Sequence, residues 1–164
     1  MTEVYVLVER KKSTLMRIMT AAVLAIGILF ALFSMIAPLF LSGALILLVV
    51  WYFFLFRSSK EYEYSFFDGE LRFAKIMNKS RRKRLRVFTM DEVIQIAPAG
   101  DRSIYKYEQD NTVKKIDYTS GNKDVPYYNL IMKNEDGINM ISYEPDDKYL
   151  DAICVKYGQK VIRR

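Results

Sequence analysis

The sequence predicts an α+β protein: an N-terminal transmembrane helical hairpin, then an antiparallel β-barrel or sandwich of about seven strands, capped by a C-terminal α-helix. Three observations carry this. Positions 18–56 are 39 consecutive residues without Asp, Glu, Lys, Arg or His, bracketed by Arg17 and Arg57. From position 60 charged and aromatic residues alternate, as along a half-buried strand. Near the end, Leu150, Ile153, Cys154 and Tyr157 recur at helical spacing, the mark of one apolar helix face.

The apolar stretch comes first. One crossing of the hydrocarbon core takes about 20 residues, so this run is roughly two crossings long. It reads as helices over about 14–34 and 38–57, broken at Ser34-Met35-Ile36-Ala37-Pro38. Proline removes a backbone donor there and disfavours helix at the preceding residue. Gly43 is expected to loosen the start of the second span. A re-entrant pair is the alternative. The run is too long for a cleaved signal peptide and lacks a small-residue cleavage site with a polar start behind it, so it reads as retained. The domains are therefore a cytosolic head at 1–13, the transmembrane hairpin at 14–57 and a cytosolic domain at 60–164.

Charge sets the orientation. Arg10, Lys11, Lys12 and Arg17 precede the first span, Arg57 and Lys60 follow the second, and the connecting turn has no charge. Positive flanks stay cytosolic, so both termini are expected there. Trp51, Tyr52, Phe53, Phe54 and Phe56 fall where an aromatic belt is expected. Neither span holds an ionisable group of the kind that marks transport pathways. The pair reads as an anchor, with an oligomeric pore as the weaker alternative.

Composition limits the chemistry. There is no histidine and one cysteine, Cys154. That excludes an intrachain disulfide, cysteine zinc sites, and the Ser-His-Asp, Cys-His and HExxH arrangements. Cys154 lies in the run Ala152-Ile153-Cys154-Val155 and reads as a buried small hydrophobe rather than a reactive thiol.

The domain follows in order. Glu61 to Phe66 is a strand, Asp68-Gly69 a two-residue hairpin turn, and Glu70 to Met77 the returning strand, with Leu71 and Phe73 inward. Asn78-Lys79-Ser80 turns into a third strand over 82–88. Thr89-Met90-Asp91-Glu92 has capping-box spacing, which predicts a short helical turn. Val93 to Ile96 is a brief apolar piece ended by Pro98-Ala99-Gly100. Weaker strands are expected near 103–108 and 112–118. Ser120 to Asp124 is a polar loop. Tyr127 to Lys133 and Ile138 to Tyr143 are strands joined by Asn134-Glu135-Asp136-Gly137. Asp146 and Asp147 then open the last helix at the positive end of its dipole.

This order resembles that of bacterial pleckstrin-homology-like (PH-like) domains. The resemblance covers about residues 60–160. It rests on Glu70-Leu71-Arg72-Phe73 followed by a basic strand and Asp91-Glu92-Val93, and on the closing helix. With its membrane hairpin, the chain is also similar to an uncharacterised bacterial membrane-protein family. The resemblance implies a fold and a setting in the bacterial cytoplasmic membrane. It carries over no active-site residues.

Lys79, Arg81, Arg82, Lys83, Arg84 and Arg86 are the candidate site, for a lipid headgroup or a partner. Residues 57–164 hold 21 basic and 17 acidic side chains, and without these six the balance becomes 15 against 17. The first strand leaves the membrane end of the chain and the second returns, so the turn at Lys79–Arg81 is expected near the lipid. Each Lys or Arg close to an anionic surface contributes roughly 1 kcal/mol, screened within about 10 Å. Two other readings compete. Arg82, Arg84 and Arg86 are expected on one strand face, solvated or paired with Glu61, Glu63 or Glu70, and such surface pairs contribute little. Contact with an acidic protein is the third and weakest of these readings. No nucleic-acid motif accompanies it.

Other features have simpler readings. Ten of the 12 tyrosines follow residue 57; Tyr62, Tyr64 and the pair Tyr127-Tyr128 read as strand packing more than as a recognition surface. Asn122-Lys123-Asp124 lacks the spacing and phosphate loop of a guanine site. Asp146-Asp147 reads as a helix cap and Asn134–Gly137 as a turn, not a calcium loop. The expectation is a non-enzymatic membrane protein with no cofactor, metal, nucleic acid or small-molecule substrate. It displays a binding module to anionic headgroups and to an unknown protein partner, a second copy included. The alternative is an accessory subunit of a larger membrane complex, with the domain as a docking platform. An enzyme acting on lipid is a distant third, because no nucleophile-plus-base arrangement is present.

Overall fold

The computed structural model describes residues 3–57, 59–135 and 137–163. The chain divides into two compact units, Lys11–Ser59 and the combination of Met1–Arg10 with Lys60–Arg164. Ser58, and Asp136 of the expected 134–137 turn, lie outside the described residues.

The helical unit follows the break expected from Pro38. Helix α1 spans Thr14–Phe33 and starts where Ser13 Oγ accepts from the Met16 N–H at 3.2 Å, a side-chain N-cap. Helix α2 spans Leu39–Val50 and continues as a π-helical turn over Trp51–Phe56. Gly27 lies beside Leu47, the Phe30 ring packs on Gly43, and Phe30 meets Phe40 edge-on at 5.5 Å between centroids. These contacts run in opposite directions along the two helices, which therefore pack antiparallel. A Cβ on Gly43 would stand 2.7 Å from the Phe30 ring, so this glycine serves close packing. Lys12 Nζ donates to the Leu55 and Phe56 carbonyls at 2.8 and 2.6 Å, satisfying acceptors left over at a helix end. Among the described residues one helix, α1, is long and apolar enough to cross a membrane; α2 is shorter.

In the other unit, Val4–Arg10 forms strand β1. The sequence reading leaves residues 1–13 outside the domain, whereas the structure pairs β1 with β2 (Lys60–Phe67) from Val4↔Phe66 to Arg10↔Lys60. The signal was hidden because Val4 to Val8 are all apolar and show no alternation, and because the partner strand lies some fifty residues on. Strands β3 (Glu70–Met77) and β4 (Arg81–Thr89) complete an antiparallel sheet in the order β1-β2-β3-β4. Asp68 and Gly69 both take positive φ in the β2–β3 turn, as the Asp-Gly signal requires.

A second sheet holds β5 (Val93–Pro98), β6 (Lys114–Asp117), β7 (Tyr128–Asn134) and β8 (Gly137–Tyr143) in the order β5-β7-β8-β6. Strand β6 runs parallel to β8; the other pairs are antiparallel. Among the described residues the domain is thus two four-stranded sheets, not a closed barrel, with eight strands rather than about seven. The capping-box spacing makes a turn, with Glu92 Oε2 accepting from the Thr89 N–H at 3.0 Å, but β5 starts at once. The strand expected near 103–108 is instead a short helix, α3 (Tyr105–Gln109). Asp101 Oδ1 accepts from the Ser103 N–H and hydroxyl at 2.9 and 2.7 Å, and such local bonds compete with a strand ladder.

Tyr62, Tyr64, Phe66, Leu71, Phe73 and Phe88 of the first sheet meet Val93, Ile96, Leu130, Met132, Ile141 and Tyr143 of the second in one core. Helix α4 (Asp147–Tyr157) adds Tyr149, Leu150 and Ile153. Asp146 caps it, accepting from the Tyr149 N–H at 2.8 Å. Cys154 is half-buried rather than fully enclosed.

Candidate functional site

The six expected residues sit on the β3–β4 turn and on β4 itself. Asn78 and Lys79 both adopt left-handed backbone, φ 53° and 56°, and the Ser80 N–H donates to the Met77 carbonyl at 3.2 Å. This tight reversal sets Arg81 opposite Met77. Strand β4 is an edge of its sheet. Charged edges deter unwanted strand pairing, and that alone accounts for part of the charge.

The strand does not present Arg82, Arg84 and Arg86 on one face, contrary to the period-two expectation. Ala74 pairs with Arg84 and Phe73 with Arg86, leaving Leu85 as an extra residue. Such a bulge reverses the side-chain alternation beyond it. Residues opposite each other in a ladder share a face. Arg82 and Arg84, opposite Ile76 and Ala74, therefore point outward. Arg81, Lys83 and Arg86, opposite Met77, Lys75 and Phe73, lie on the face that carries the core farther along.

The two faces differ electrostatically. Outward, Arg82 Nη2 meets Glu63 Oε1 at 2.5 Å and Arg72 Nη2 meets Glu70 Oε2 at 2.8 Å. A groove of about 420 Å³ between these side chains is lined by both signs of charge. Inward, Lys83 faces Lys75, and Lys60 stands opposite Met77 on the neighbouring strand. Among the described residues none of Lys60, Lys75, Lys79, Arg81, Lys83, Arg84 or Arg86 makes an ion pair. Sequence reasoning missed Lys60 and Lys75; folding the chain on paper about the Asn78 turn would have paired Lys75 with Lys83.

The same end of the sheet holds Arg10. Its guanidinium donates to the Tyr62 hydroxyl at 2.9 Å and to Asp117 Oδ2 at 2.9 Å. Burial works against the Arg10 charge, but Tyr62 and Asp117 outweigh it and raise its pKa above the usual value. Burial likewise pushes the Tyr118 hydroxyl up, against the pull of nearby Arg86. Arg10 and Lys60 are cross-strand partners, and they are also the residues at which the chain leaves this unit for the helices and comes back.

On the second sheet an open groove of about 710 Å³ lies between Gly100, Lys123, Asp124, Tyr127 and Asn129. Its floor is tied together by Glu108 Oε1, which accepts from the Gly100 N–H at 2.9 Å and from Asn129 Nδ2 at 2.7 Å. Ser142 Oγ donates to Asn129 Oδ1 at 2.7 Å. These bonds fasten the α3 loop to the sheet. No signal in the sequence marked this groove, because its walls come from separate loops. Among the described residues no group of three or more His, Cys, Asp or Glu could hold a metal ion.

Two facing sheets closed by a C-terminal helix, with a cationic surface at one end, define a PH-like domain. The chain belongs to the bacterial PH-like domain family DUF6106, whose model matches residues 2–163. The match includes β1 and the helical segment as well as the domain proper. No curated protein and no solved structure shows significant similarity to the chain.

Proposed function

We propose that the protein is a non-enzymatic module of the bacterial cytoplasmic membrane. In this reading α1 and the α2–π-helix segment form a two-span hairpin with both termini cytosolic. The PH-like domain turns its basic end to anionic headgroups and offers its remaining surface to a protein partner. The 18 residues from Leu39 to Phe56 are roughly 25 Å of helix, short of the ~30 Å hydrocarbon core by an amount that local thinning accommodates.

One observation supports the headgroup reading above the others. Lys60, Lys75, Arg81 and Lys83, none of them ion-paired among the described residues, gather toward the end of the first sheet where Arg10 and Lys60 lead into the apolar helices, with Arg86 farther along the same face. Unpaired cations beside a membrane tether are where an anionic surface contributes most, about 1 kcal/mol each.

The test uses the full-length chain, because β1 belongs to the sheet. Resistance to alkaline extraction from membranes checks the anchor. Amide exchange over residues 79–86 is then compared in nanodiscs of neutral lipid and of lipid with added phosphatidylglycerol. Slower exchange with the anionic lipid, lost in the Arg81→Gln/Lys83→Gln/Arg86→Gln variant, is the expected result. Equal exchange in both lipids would sink the headgroup reading.

A further inference from the structure

The outward face of the first sheet carries a cup with a floor of small residues. In the β2–β3 ladder Ser65 pairs with Arg72 and Glu63 with Ala74, so these residues are the corners of one square and share a face. Ser65 and Ala74 lie on one diagonal, 3% and 5% exposed, and line the bottom of the groove of about 420 Å³. Glu63 and Arg72 lie on the other diagonal, where long side chains of opposite charge are within reach of each other. They do not pair. Glu63 turns to Arg82 on β4, and Arg72 turns to Glu70 on its own strand. Both long side chains are drawn off the square, and its middle stays open. The Ser65 hydroxyl enters none of the side-chain hydrogen bonds among the described residues. Burying a hydroxyl without a partner is unfavourable, and a polar group bound in the cup would supply one.

Charge selects the ligand. Glu3, Glu63 and Glu70 line the groove together with Arg72, Arg82 and Arg84, so acids and bases balance. A net anion or net cation meets as much repulsion as attraction there, whereas a ligand carrying both signs finds a complement for each. Arg84 and Glu3 make no ion pair among the described residues, which leaves one guanidinium and one carboxylate available. Arg84 stands opposite Ala74, just ahead of the bulge at Leu85, and Val87 beyond it stands opposite Arg72 and is 50% exposed. A guanidinium offers a carboxylate two parallel donors, and Val87 offers an apolar wall beside them. We propose that this cup binds a free zwitterionic amino acid with an uncharged side chain, as a ligand and not as a substrate. Its carboxylate pairs with Arg84 above Ala74, its ammonium lies toward Glu63 and Glu3, and its side chain covers Val87. A charged side chain would upset the balance of the lining. The cup lies on the opposite face of the sheet from Arg81, Lys83 and Arg86, so it stands or falls apart from the headgroup contact.

The experiment follows thermal unfolding of the full-length chain in detergent with each free amino acid added in turn at millimolar concentration. A ligand present at about 100 times its dissociation constant raises the midpoint by several degrees. At least one uncharged amino acid, with leucine as the first probe, should do so, and lysine and aspartate should do so less. The N-acetyl and amide forms of the active amino acid, each lacking one of its charges, should have no effect. In a calorimetric titration Arg84→Gln should weaken binding by about tenfold or more while the free protein unfolds as before. Ala74→Leu fills the floor and should abolish binding; because that residue is nearly buried, Arg84→Gln decides the matter if Ala74→Leu does not fold. No shift with any uncharged amino acid, an equal shift with the N-acetyl or amide form, or an affinity unchanged in Arg84→Gln would each overturn the proposal.

Discussion

Lys75 and Lys83 stand directly opposite each other across the β3–β4 ladder, with no acidic side chain ion-paired to either among the described residues. Like charges in that position weaken a sheet. The arrangement lowers stability and concentrates positive charge, the combination expected where a surface is kept for an anion rather than for the fold.

Lys83→Glu separates these two consequences. Replacing repulsion by an ion pair should raise the unfolding free energy by about 0.5 kcal/mol. The same change should weaken contact with anionic nanodiscs. A urea titration and the exchange comparison on the one variant give both readings, and a protein that gains neither stability nor loses contact contradicts the role given to this pair.

Lys79 holds φ near 56°, a conformation costing an L side chain roughly 1 kcal/mol that glycine avoids. Lys79→Gly should therefore raise the midpoint of urea unfolding, with about 0.5–1 kcal/mol gained. A fall in stability would show that the Lys79 side chain contributes more than its backbone strain removes.

The hydroxyls of Tyr143 and Tyr149 are buried with no hydrogen-bond partner among the described residues. Burying an unsatisfied polar group costs about 1–3 kcal/mol. Tyr149→Phe keeps the ring against Phe66 and Tyr143 and removes that cost, so unfolding by heat should shift upward. Tyr64→Phe is the control and should shift downward, because its hydroxyl donates to the Tyr118 carbonyl in the core.

Burial raises the pKa of Tyr64, Tyr143 and Tyr149 above the ordinary value of 10. Above pH 10 the unfolded chain loses these protons while the folded chain keeps them, so the unfolded state binds fewer protons and stability falls as pH rises. It is fully present below pH 10 and declines until the folded values are reached, by roughly 4 kcal/mol per pH unit for three such groups. Alkaline unfolding that begins near pH 10, and starts later in the Tyr149→Phe variant, is the expected result of a fluorescence titration.

Asp101 and Asp110 behave oppositely. Hydrogen bonds from Ser103 and Thr112 hold each carboxyl below the ordinary value. The stabilisation is present above the unfolded pKa near 3.9 and is lost as pH falls through the lower folded value. Ser103→Ala should raise the Asp101 pKa in an NMR titration without returning it to the ordinary carboxylate range, because the residue 103 N–H still donates to Oδ1, and should leave Asp110 where it is.

What could be read in advance was local. The composition of residues 18–56 dictated helix around a break at Pro38, and period two with Asp-Gly and Asn-Lys turns dictated β2, β3 and β4. The spacing of Leu150, Ile153 and Tyr157 dictated α4. The clustering of positive charge between Lys79 and Arg86 was equally plain, since charge along a sequence needs no partner to be counted.

What tertiary structure decided was every matter of pairing. Strand β1 exists because β2 offers it a ladder from far along the chain, and its unbroken apolar run carries no period of its own. Residues near 103–108 became α3 once Asp101 and Glu108 found local and cross-sheet donors. The bulge at Leu85 turned Arg86 away from Arg82 and Arg84, and the fold brought Lys60 and Lys75 to Lys83. The physical reason is the same in each case. Periodicity and turn chemistry act over a few residues, while register, edges and the sharing of charge between faces depend on contacts whose partners are remote in sequence.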